Sequence, residues 1–419
     1  MHRITNQKYL KKSGLIILIT VMNMVVPLSL DMYLPAVPHM TDVFDTTESV
    51  VNLTLVGFFF CLAIGILIFG PLSDKYGRKP LLIVGVSVYL IFSAACALTP
   101  TIELFISFRV MQALGAGCMM AVSTALIKDS FAPKTRNSVL AVVQAMTVIA
   151  PMVAPLIGAF ILTFASWRAT FWVLAAVALL CLVAVFLLEE TVTKDEAYQG
   201  TLMGSMGRLI SVGKNRGFSL FLILVAALSA PYMAYIAVCS YVYIDFFGLS
   251  ETTYSYFFAV NSAASIIGPV LYVKLNGKIS PKIIMNICII FTVISGIALI
   301  GFGAVSPIIF MLAFLPFTVL ESALRPFSTA ILLEQQDRDT GSASSLINFT
   351  HTVAGSLGMI LGALPWYNFI DGLGIILISS ATLSVVLWII ILKRKIIVKG
   401  LTDNKNDEKE DIDSHPENS

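Results

Sequence analysis

The chain has 419 residues, of which 57% are hydrophobic and only 12% are charged. Soluble globular domains carry about 25% charged residues, so this composition excludes a soluble enzyme and a disordered scaffold and favours a membrane protein. The formal net charge of +2 says little by itself, because the position of charges matters more than their sum in a membrane protein.

A helix needs about 20 mostly apolar residues to cross a bilayer, and the chain contains twelve such runs. They predict spans at 13–37, 50–71, 80–98, 103–127, 137–163, 168–188, 217–246, 253–275, 281–303, 307–333, 342–364 and 370–392. The longest break, 189–216, lies after the sixth run. The sequence therefore predicts an all-α membrane protein of twelve transmembrane helices. We expect two six-helix halves, 1–188 and 217–399, joined by a linker at 189–216, and the polar segment 400–419 is predicted to be a disordered tail.

The positive charges orient these spans. Of the 27 Lys and Arg residues, 24 lie on the side that both termini share, one (Arg168) lies on the opposite side, and Arg109 and Arg325 lie within spans. Cytoplasmic loops carry the excess of Lys and Arg. Both termini are therefore predicted to be cytoplasmic, in a multi-pass protein of the cytoplasmic membrane.

Residues 70–80, between the second and third runs, read GPLSDKYGRKP. The glycines, the acid and the clustered bases are Gly70, Asp74, Lys75, Gly77, Arg78 and Lys79. This pattern resembles the signature of the major facilitator superfamily, in which a fold of twelve helices is expected. We expect Gly70 to let two helices approach closely and Gly77 to permit a tight turn.

The resemblance implies a role for the acid in this motif. By analogy, Asp74 and its basic neighbours form a charge network that holds the two halves in one conformation and is broken in the other. The alternative is an ordinary positively charged cytoplasmic loop, which explains the bases but not Asp74 together with both glycines.

Two further stretches resemble motifs of drug:proton antiporters within the superfamily. RVMQALGAG in the fourth run contains Arg109 and Gln112, and APMVAPLIGA in the fifth contains Pro151, Pro155 and Gly158. Ala replaces Gly of the antiporter form at positions 150, 154 and 159, although Ala also permits close packing. LDMYLPAVPHM at 30–40 is similar to the Bcr/CflA branch, and particularly to its chloramphenicol and florfenicol exporters.

An ionisable residue inside a span costs at least about 2.5 to 3.5 kcal/mol, which makes it a functional candidate. Asp31 and Arg109 each lie about six residues, or roughly 9 Å, from the outer end of their spans. The resemblance implies that spans one, four, seven and ten line a central cavity, with these two residues on facing walls. We hypothesise that Asp31 binds a proton and a substrate in alternation, while Arg109 favours its charged form. A static ion pair, or Asp31 at the membrane interface, is the alternative.

Glu321 and Arg325 are spaced i,i+4 on the tenth span, so they share a helix face and can pair. They can contact a polar substrate, bridge to the other half, or form a self-neutralising structural pair. Aromatic and amide side chains provide further candidates, although each of them is also a common core residue. The candidate residues of a substrate cavity are Tyr33, Gln112, Tyr232, Tyr235, Glu321, Arg325 and Asn348. His351 and Asn348 can bond neighbouring helices, and a proton relay at His351 is the alternative to this structural role.

The sequence contains no phosphate loop, no HExxH and no GxSxG motif. We therefore expect a protein that is not an enzyme, with no catalytic or metal site and no cofactor other than the proton as coupling ion. The predicted function is a proton-coupled multidrug efflux antiporter that exports small amphipathic drugs, phenicols among them, by alternating access. Export of a native metabolite such as a sugar or nucleoside is one alternative, and a non-transporting membrane sensor is another. The expected partners are the drug, protons and the lipid bilayer, without nucleic acid, and the chain is expected to be a monomer.

Overall fold

The computed structural model describes residue 7 and residues 9–191, 211–275, 278–335 and 340–401, without the side chains at positions 74, 128, 133, 134, 137, 141 and 340–342. Most of the predicted linker and almost all of the predicted tail lie outside these ranges. The described chain is helical and contains no β-strand.

Twelve long helices follow one another along the described ranges. They are α1 (Lys11–Asp31), α2 (Glu48–Tyr76), α3 (Arg78–Leu98), α4 (Ile102–Ser130), α5 (Pro133–Leu162), α6 (Arg168–Leu187), α7 (Arg216–Ser240), α8 (Glu251–Leu275), α9 (Pro281–Phe302), α10 (Pro307–Glu334), α11 (Thr340–Gly362) and α12 (Phe369–Lys393). A 3₁₀ turn (Leu34–Ala36) and a short helix (Met40–Phe44) connect α1 to α2. A π-helical turn (Tyr241–Phe246) extends α7, and α8 is interrupted after Ala264.

Each predicted span coincides with one of these helices. Within the described residues, eleven helices are long and apolar enough to cross a membrane. The remaining one, α11, has 23 residues, which is sufficient for a span, but Asn348, His351 and several Ser and Thr residues make it less apolar. The structure confirms the prediction of an all-α membrane protein.

Polar residues determine where several helices begin. Ser306 accepts a hydrogen bond from the backbone N–H of Ile309 at 3.2 Å, and Pro307 occupies the first position of α10. Ser250 accepts from the backbone N–H of Thr253 at 3.2 Å in the same way before α8. Such caps satisfy amide groups that a helix start leaves unpaired, and they account for the short connections between helices.

The helices pack mainly within their own group of six. In the first group, α2 and α3 both pack on α4, α3 packs on α6, and α1 packs on α5. In the second group, α11 and α12 both pack on α7, α9 packs on α12, and α8 packs on α10. Two helix pairs, α2 with α11 and α5 with α8, form the main contact between the two groups.

The end of the bundle where α1 begins and α12 ends is called the terminal side here, and the opposite end the distal side. Three hydrogen bonds between described residues join the two halves at the distal side. They run from His39 Nε2 to Glu251 Oε1 (2.8 Å), from Ser49 Oγ to the Ala363 carbonyl (2.6 Å) and from Ser255 Oγ to the Pro155 carbonyl (3.0 Å). We refer to these three bonds as the distal seam.

Candidate functional site

Arg109 lies on α4 with its side chain fully buried. Its guanidinium donates to Gln112 Oε1 at 2.7 Å and to the Ser29 carbonyl at 3.1 Å. The guanidinium carbon also lies 4.2 Å from the ring centroid of Phe58 and 4.8 Å from that of Tyr33. Neutral acceptors and aromatic faces therefore stabilise this buried positive charge.

The groups around Arg109 are themselves hydrogen-bonded. Gln112 Nε2 donates to Ser93 Oγ at 2.7 Å, and the hydroxyls of Ser29 and Tyr89 lie 2.5 Å apart. The hydroxyls of Tyr33 and Thr54 lie 2.8 Å apart. We call this set the N-half network; it consists of Ser29, Tyr33, Thr54, Tyr89, Ser93, Arg109 and Gln112. The candidates Tyr33 and Gln112 are thus buried parts of this network.

Asp31 ends α1 and is 4% exposed. Among the described residues its carboxylate has no hydrogen bond and no ion pair, and the hypothesised pair with Arg109 is not formed in this structure, because the Arg109 donors are directed to neutral acceptors. Asp31 instead lies within electrostatic range of Tyr232, Cys239 and Tyr254. These three residues all belong to the second half of the molecule.

Tyr232 on α7 connects the acids of the two halves. It is half-buried and lies within electrostatic range of Asp31, of Glu321 and of Arg325. We call these four residues the Tyr232 centre. The expected pair of Glu321 and Arg325 does interact electrostatically, but the two side chains are not in salt-bridge contact within the described structure. Glu321 is half-buried and Arg325 is exposed.

Two polar residues with a predicted role, His351 and Asn348, lie on α11. His351 is 8% exposed, and both of its ring nitrogens are buried without a hydrogen-bond partner among the described residues. The expected bond from His351 to a neighbouring helix is therefore not formed. His351 lies within electrostatic range of Arg325, whereas Asn348 is exposed.

Tyr235 belongs to the core rather than to an open site. Its ring is 1% exposed and stacks on Phe314 with centroids 4.3 Å apart. Further rings complete a group that we call the C-half cluster, consisting of Tyr235, Tyr243, Tyr254, Phe258, Phe310 and Phe314. The hydroxyls of Tyr235 and Tyr243 are buried without a hydrogen-bond partner in the described part of the chain.

The motif at 70–80 folds into a compact ionic turn. Gly77 has φ +96° and connects α2 directly to α3. Arg78 Nε donates to Asp129 Oδ2 at 2.9 Å. The backbone N–H groups of Arg78 and Lys79 donate to the two carboxylate oxygens of Glu190 at 2.9 and 3.0 Å. Glu190 thereby occupies the N-terminus of α3, where a negative charge is favoured.

Asp74, Lys75 and Gly70 are the other predicted residues of this motif. The side chain of Asp74, and with it the expected network, lies outside the described residues. Lys75 Nζ lies 5.6 Å from the ring centroid of Tyr76. A Cβ on Gly70 would meet nothing within 4 Å, so the expected close helix approach at Gly70 is absent from this conformation.

Asp129 and Glu190 were not among the sequence candidates. Both are acids at the terminal side, one at the end of α4 and one just after α6, where most charges are basic. An acidic residue among the mostly basic residues of the terminal side is the sequence signal that could have identified Asp129 and Glu190.

The second antiporter motif lies on α5 where this helix contacts two neighbours. A Cβ on Gly158 would overlap the carbonyl oxygen of Met32, so only glycine allows this approach. Pro155 provides the carbonyl that accepts from Ser255 of α8. Pro151 lies inside the same helix and is half-buried. This segment therefore packs against the region after α1 and against the other half.

The fold and these motifs define a multi-pass membrane transporter rather than an enzyme. The profile of the Major Facilitator Superfamily matches residues 19–359. The chain belongs to the Major Facilitator Superfamily.

Relatives in the superfamily include proteins named for drug resistance. The chain is 29% identical over 338 residues to an uncharacterized MFS-type transporter, YdgK, of Bacillus subtilis, which covers 79% of this chain and 84% of that protein. It is 27% identical over 364 residues to a bicyclomycin resistance protein homolog of Haemophilus influenzae, with 84% and 89% covered. A chloramphenicol resistance protein of Pseudomonas aeruginosa is 36% identical over 157 residues, which is 37% of this chain and 38% of that protein.

Solved transporter structures share the fold. A peptide transporter POT in complex with sulfate superposes with a TM-score of 0.75 at 15% identity, covering 96% of this chain and 98% of that one. A D-xylose–proton symporter gives a TM-score of 0.69 at 16% identity, with 93% and 98% covered. At such identities the likeness concerns the fold alone.

Proposed function

We propose that this protein is a proton-coupled antiporter that exports small amphipathic drugs through the cytoplasmic membrane, as a monomer working by alternating access. Both termini are placed in the cytoplasm, because 24 of the 27 Lys and Arg residues lie on that side. The names of the bicyclomycin and chloramphenicol resistance relatives support drugs as substrates, and phenicols are the first compounds to test.

The observation that carries the proposal is the unpartnered, buried carboxylate of Asp31. A charged carboxylate without a partner is costly in a medium of low dielectric constant. It therefore favours uptake of a proton while the site is dry and release when water enters. Since Asp31 lies within electrostatic range of Tyr232 on the other half, movement of the halves changes its surroundings.

The Tyr232 centre supports a substrate site between two acids. The half-buried ring of Tyr232 offers an aromatic face, and both Asp31 and Glu321 lie within electrostatic range of it. An amphipathic drug stacked on this ring would meet both carboxyl groups, which allows binding of the drug to be coupled to loss of a proton. Glu321 is thus the second candidate for the proton carrier.

Under this proposed orientation, the distal seam supports a conformation that is closed to the outside. With cytoplasmic termini, the distal side is the outer side. The three hydrogen bonds of the seam then close the outer side, as is required of an exporter that loads its drug from the cytoplasm.

The test is transport of labelled chloramphenicol in proteoliposomes under an imposed pH gradient. Wild type, Asp31→Asn and Glu321→Gln are compared with the control Asp42→Asn, which changes an exposed acid of the short distal helix. We expect gradient-driven transport by wild type and the control, with loss in Asp31→Asn. Retained transport in Asp31→Asn together with loss in Glu321→Gln would move the proton site to Glu321. If wild-type transport does not depend on the pH gradient, proton coupling is overturned. If the wild type does not transport chloramphenicol, phenicols are overturned as substrates.

A further inference from the structure

We propose that the terminal side of the second half holds a binding site for the headgroup of an anionic phospholipid. A cavity of about 570 Å³ opens there between the start of α7 and the end of α12. Its basic lining residues are Lys214, Arg216 and Arg394, and its apolar ones are Leu220, Ile390 and Ile396. This site is separate from the Tyr232 centre and does not depend on the proposed transport function.

The three cations of this cavity lack protein counter-charges. Their side chains are exposed, the lining contains no acid, and within the described ranges none of Lys214, Arg216 and Arg394 forms an ion pair or side-chain hydrogen bond. In contrast, Arg78 on the same side of the molecule is paired with Asp129. Like charges gathered around one cavity repel, so the arrangement favours an external anion with several acceptor oxygens, such as a phosphate group.

The position along the membrane normal fits a lipid. Arg216 is the first residue of the span Arg216–Phe246, and Arg394 directly follows the helix Phe369–Lys393. The cations therefore lie where a span ends and lipid headgroups begin. Leu220 and Ile390 are each one turn further into their spans. A basic rim above an apolar wall matches a phosphate attached to acyl chains, and basic pockets of this kind between helices suit anionic headgroups.

The walls of the cavity are held in place by short contacts. Ser219 Oγ donates to the Gly213 carbonyl at 2.6 Å, and the Asn215 side chain caps the first turn of α7 by accepting from the Phe218 backbone N–H at 3.2 Å. A Cβ on Gly217 would overlap the carbonyl oxygen of Ile397. The first turn of α7 therefore packs directly on the segment after α12, which fixes both sides of the cavity.

The acidic segment 402–419 is the competing anion within the chain. It contains seven Asp and Glu residues but a single large apolar residue, Ile412. Its charges suit the basic rim, whereas its composition offers almost nothing to the apolar wall formed by Leu220 and Ile390. A phospholipid satisfies both parts of the cavity, so the lipid is the occupant that we propose.

Native mass spectrometry of the purified full-length protein tests the proposal by counting bound phosphatidylglycerol against bound phosphatidylcholine. The variant replaces Lys214, Arg216 and Arg394 by Gln. The matched control replaces Lys274, Lys278 and Lys282 by Gln, which removes the same charge from the same side. We expect about a hundredfold weaker phosphatidylglycerol binding in the variant and wild-type binding in the control. Equal losses in both would overturn the site, because they would indicate general surface charge only.

Three further arms separate the remaining explanations. Arg216→Lys with Arg394→Lys keeps the charge and is expected to keep phosphatidylglycerol binding, which guards against misfolding of the triple Gln variant. Inorganic phosphate at the same concentration is expected not to displace the lipid, since it lacks chains for the apolar wall; displacement would assign the site to a free phosphate instead. A chain ending at Leu401 is expected to bind lipid as wild type does. A large gain of lipid binding on this truncation would assign the site to the acidic segment.

Discussion

The N-half network and the C-half cluster differ in how their buried tyrosine hydroxyls are satisfied. In the N-half network the hydroxyls of Tyr33 and Tyr89 and both terminal nitrogens of the Arg109 guanidinium have partners within hydrogen-bond distance. In the C-half cluster the hydroxyls of Tyr235 and Tyr243 have none among the described residues. Because an unmade buried hydrogen bond costs about 1 to 3 kcal/mol, the N-half network resembles a fixed support. The C-half cluster retains two hydroxyls that a substrate, water or proton can still satisfy.

The largest expected effect comes from removing the central charge of the N-half network. Arg109→Ala deletes two charge-assisted hydrogen bonds and leaves a cavity between Phe58 and Tyr33, so we expect a loss of about 3 kcal/mol or more of stability. Thermal unfolding of the purified protein measures it. Arg325→Ala, which removes an exposed arginine of the second half, is expected to shift the transition little. Equal shifts for the two variants would contradict the comparison.

Backbone packing provides an intermediate effect that should be equal in the two halves. An added Cβ on Gly158 would overlap the Met32 carbonyl, and one on Gly358 would overlap the Ala230 carbonyl. We expect Gly158→Ala and Gly358→Ala each to cost about 1 to 3 kcal/mol, measured by the same unfolding assay. Gly70→Ala is the control, because its Cβ meets open space. If only one of the two variants is destabilised, the halves differ in packing as well as in polarity.

The smallest and sharpest test removes one hydroxyl from each half. Tyr89→Phe breaks the bond to Ser29 and is expected to cost about 1 kcal/mol. Tyr235→Phe removes a hydroxyl that has no partner among the described residues, so stability is expected to remain unchanged or to increase. The unfolding temperatures of the two variants are measured and compared with that of the wild type. A larger loss in Tyr235→Phe would show that a water or ligand satisfies that hydroxyl in the protein.

The transmembrane spans were predictable from the sequence, because the apolar composition of a segment decides by itself whether that segment can cross a membrane. Twelve apolar runs coincide with the twelve helices, and even α11 was recognised although it is the least apolar. The tight turn at Gly77 was also predictable from local sequence. A positive φ favours glycine, so this one residue indicates the turn without knowledge of how the helices pack.

Partner choice was not predictable, because it depends on how helices pack. Arg109 and Asp31 are predicted to lie at similar depth, yet the guanidinium donates to Gln112 and the Ser29 carbonyl. The spacing of Glu321 and Arg325 allowed a pair, whereas no salt bridge joins them in the described part of the chain. Glu190 reaches the start of α3 from a position 112 residues away from Arg78, and no periodicity in the sequence connects the two.

The distal seam has an energetic consequence. Two of its hydrogen bonds end on backbone carbonyls and the third joins an exposed side-chain pair, so water can replace every one of them when the halves separate. Each contributes about 1 kcal/mol or less, so together they amount to at most about 3 kcal/mol. Moving one elementary charge through a membrane potential of 100 mV releases about 2.3 kcal/mol. The hydrogen bonding that closes the distal side is therefore no larger in free energy than about one translocated charge, so a single proton carries enough energy to offset it.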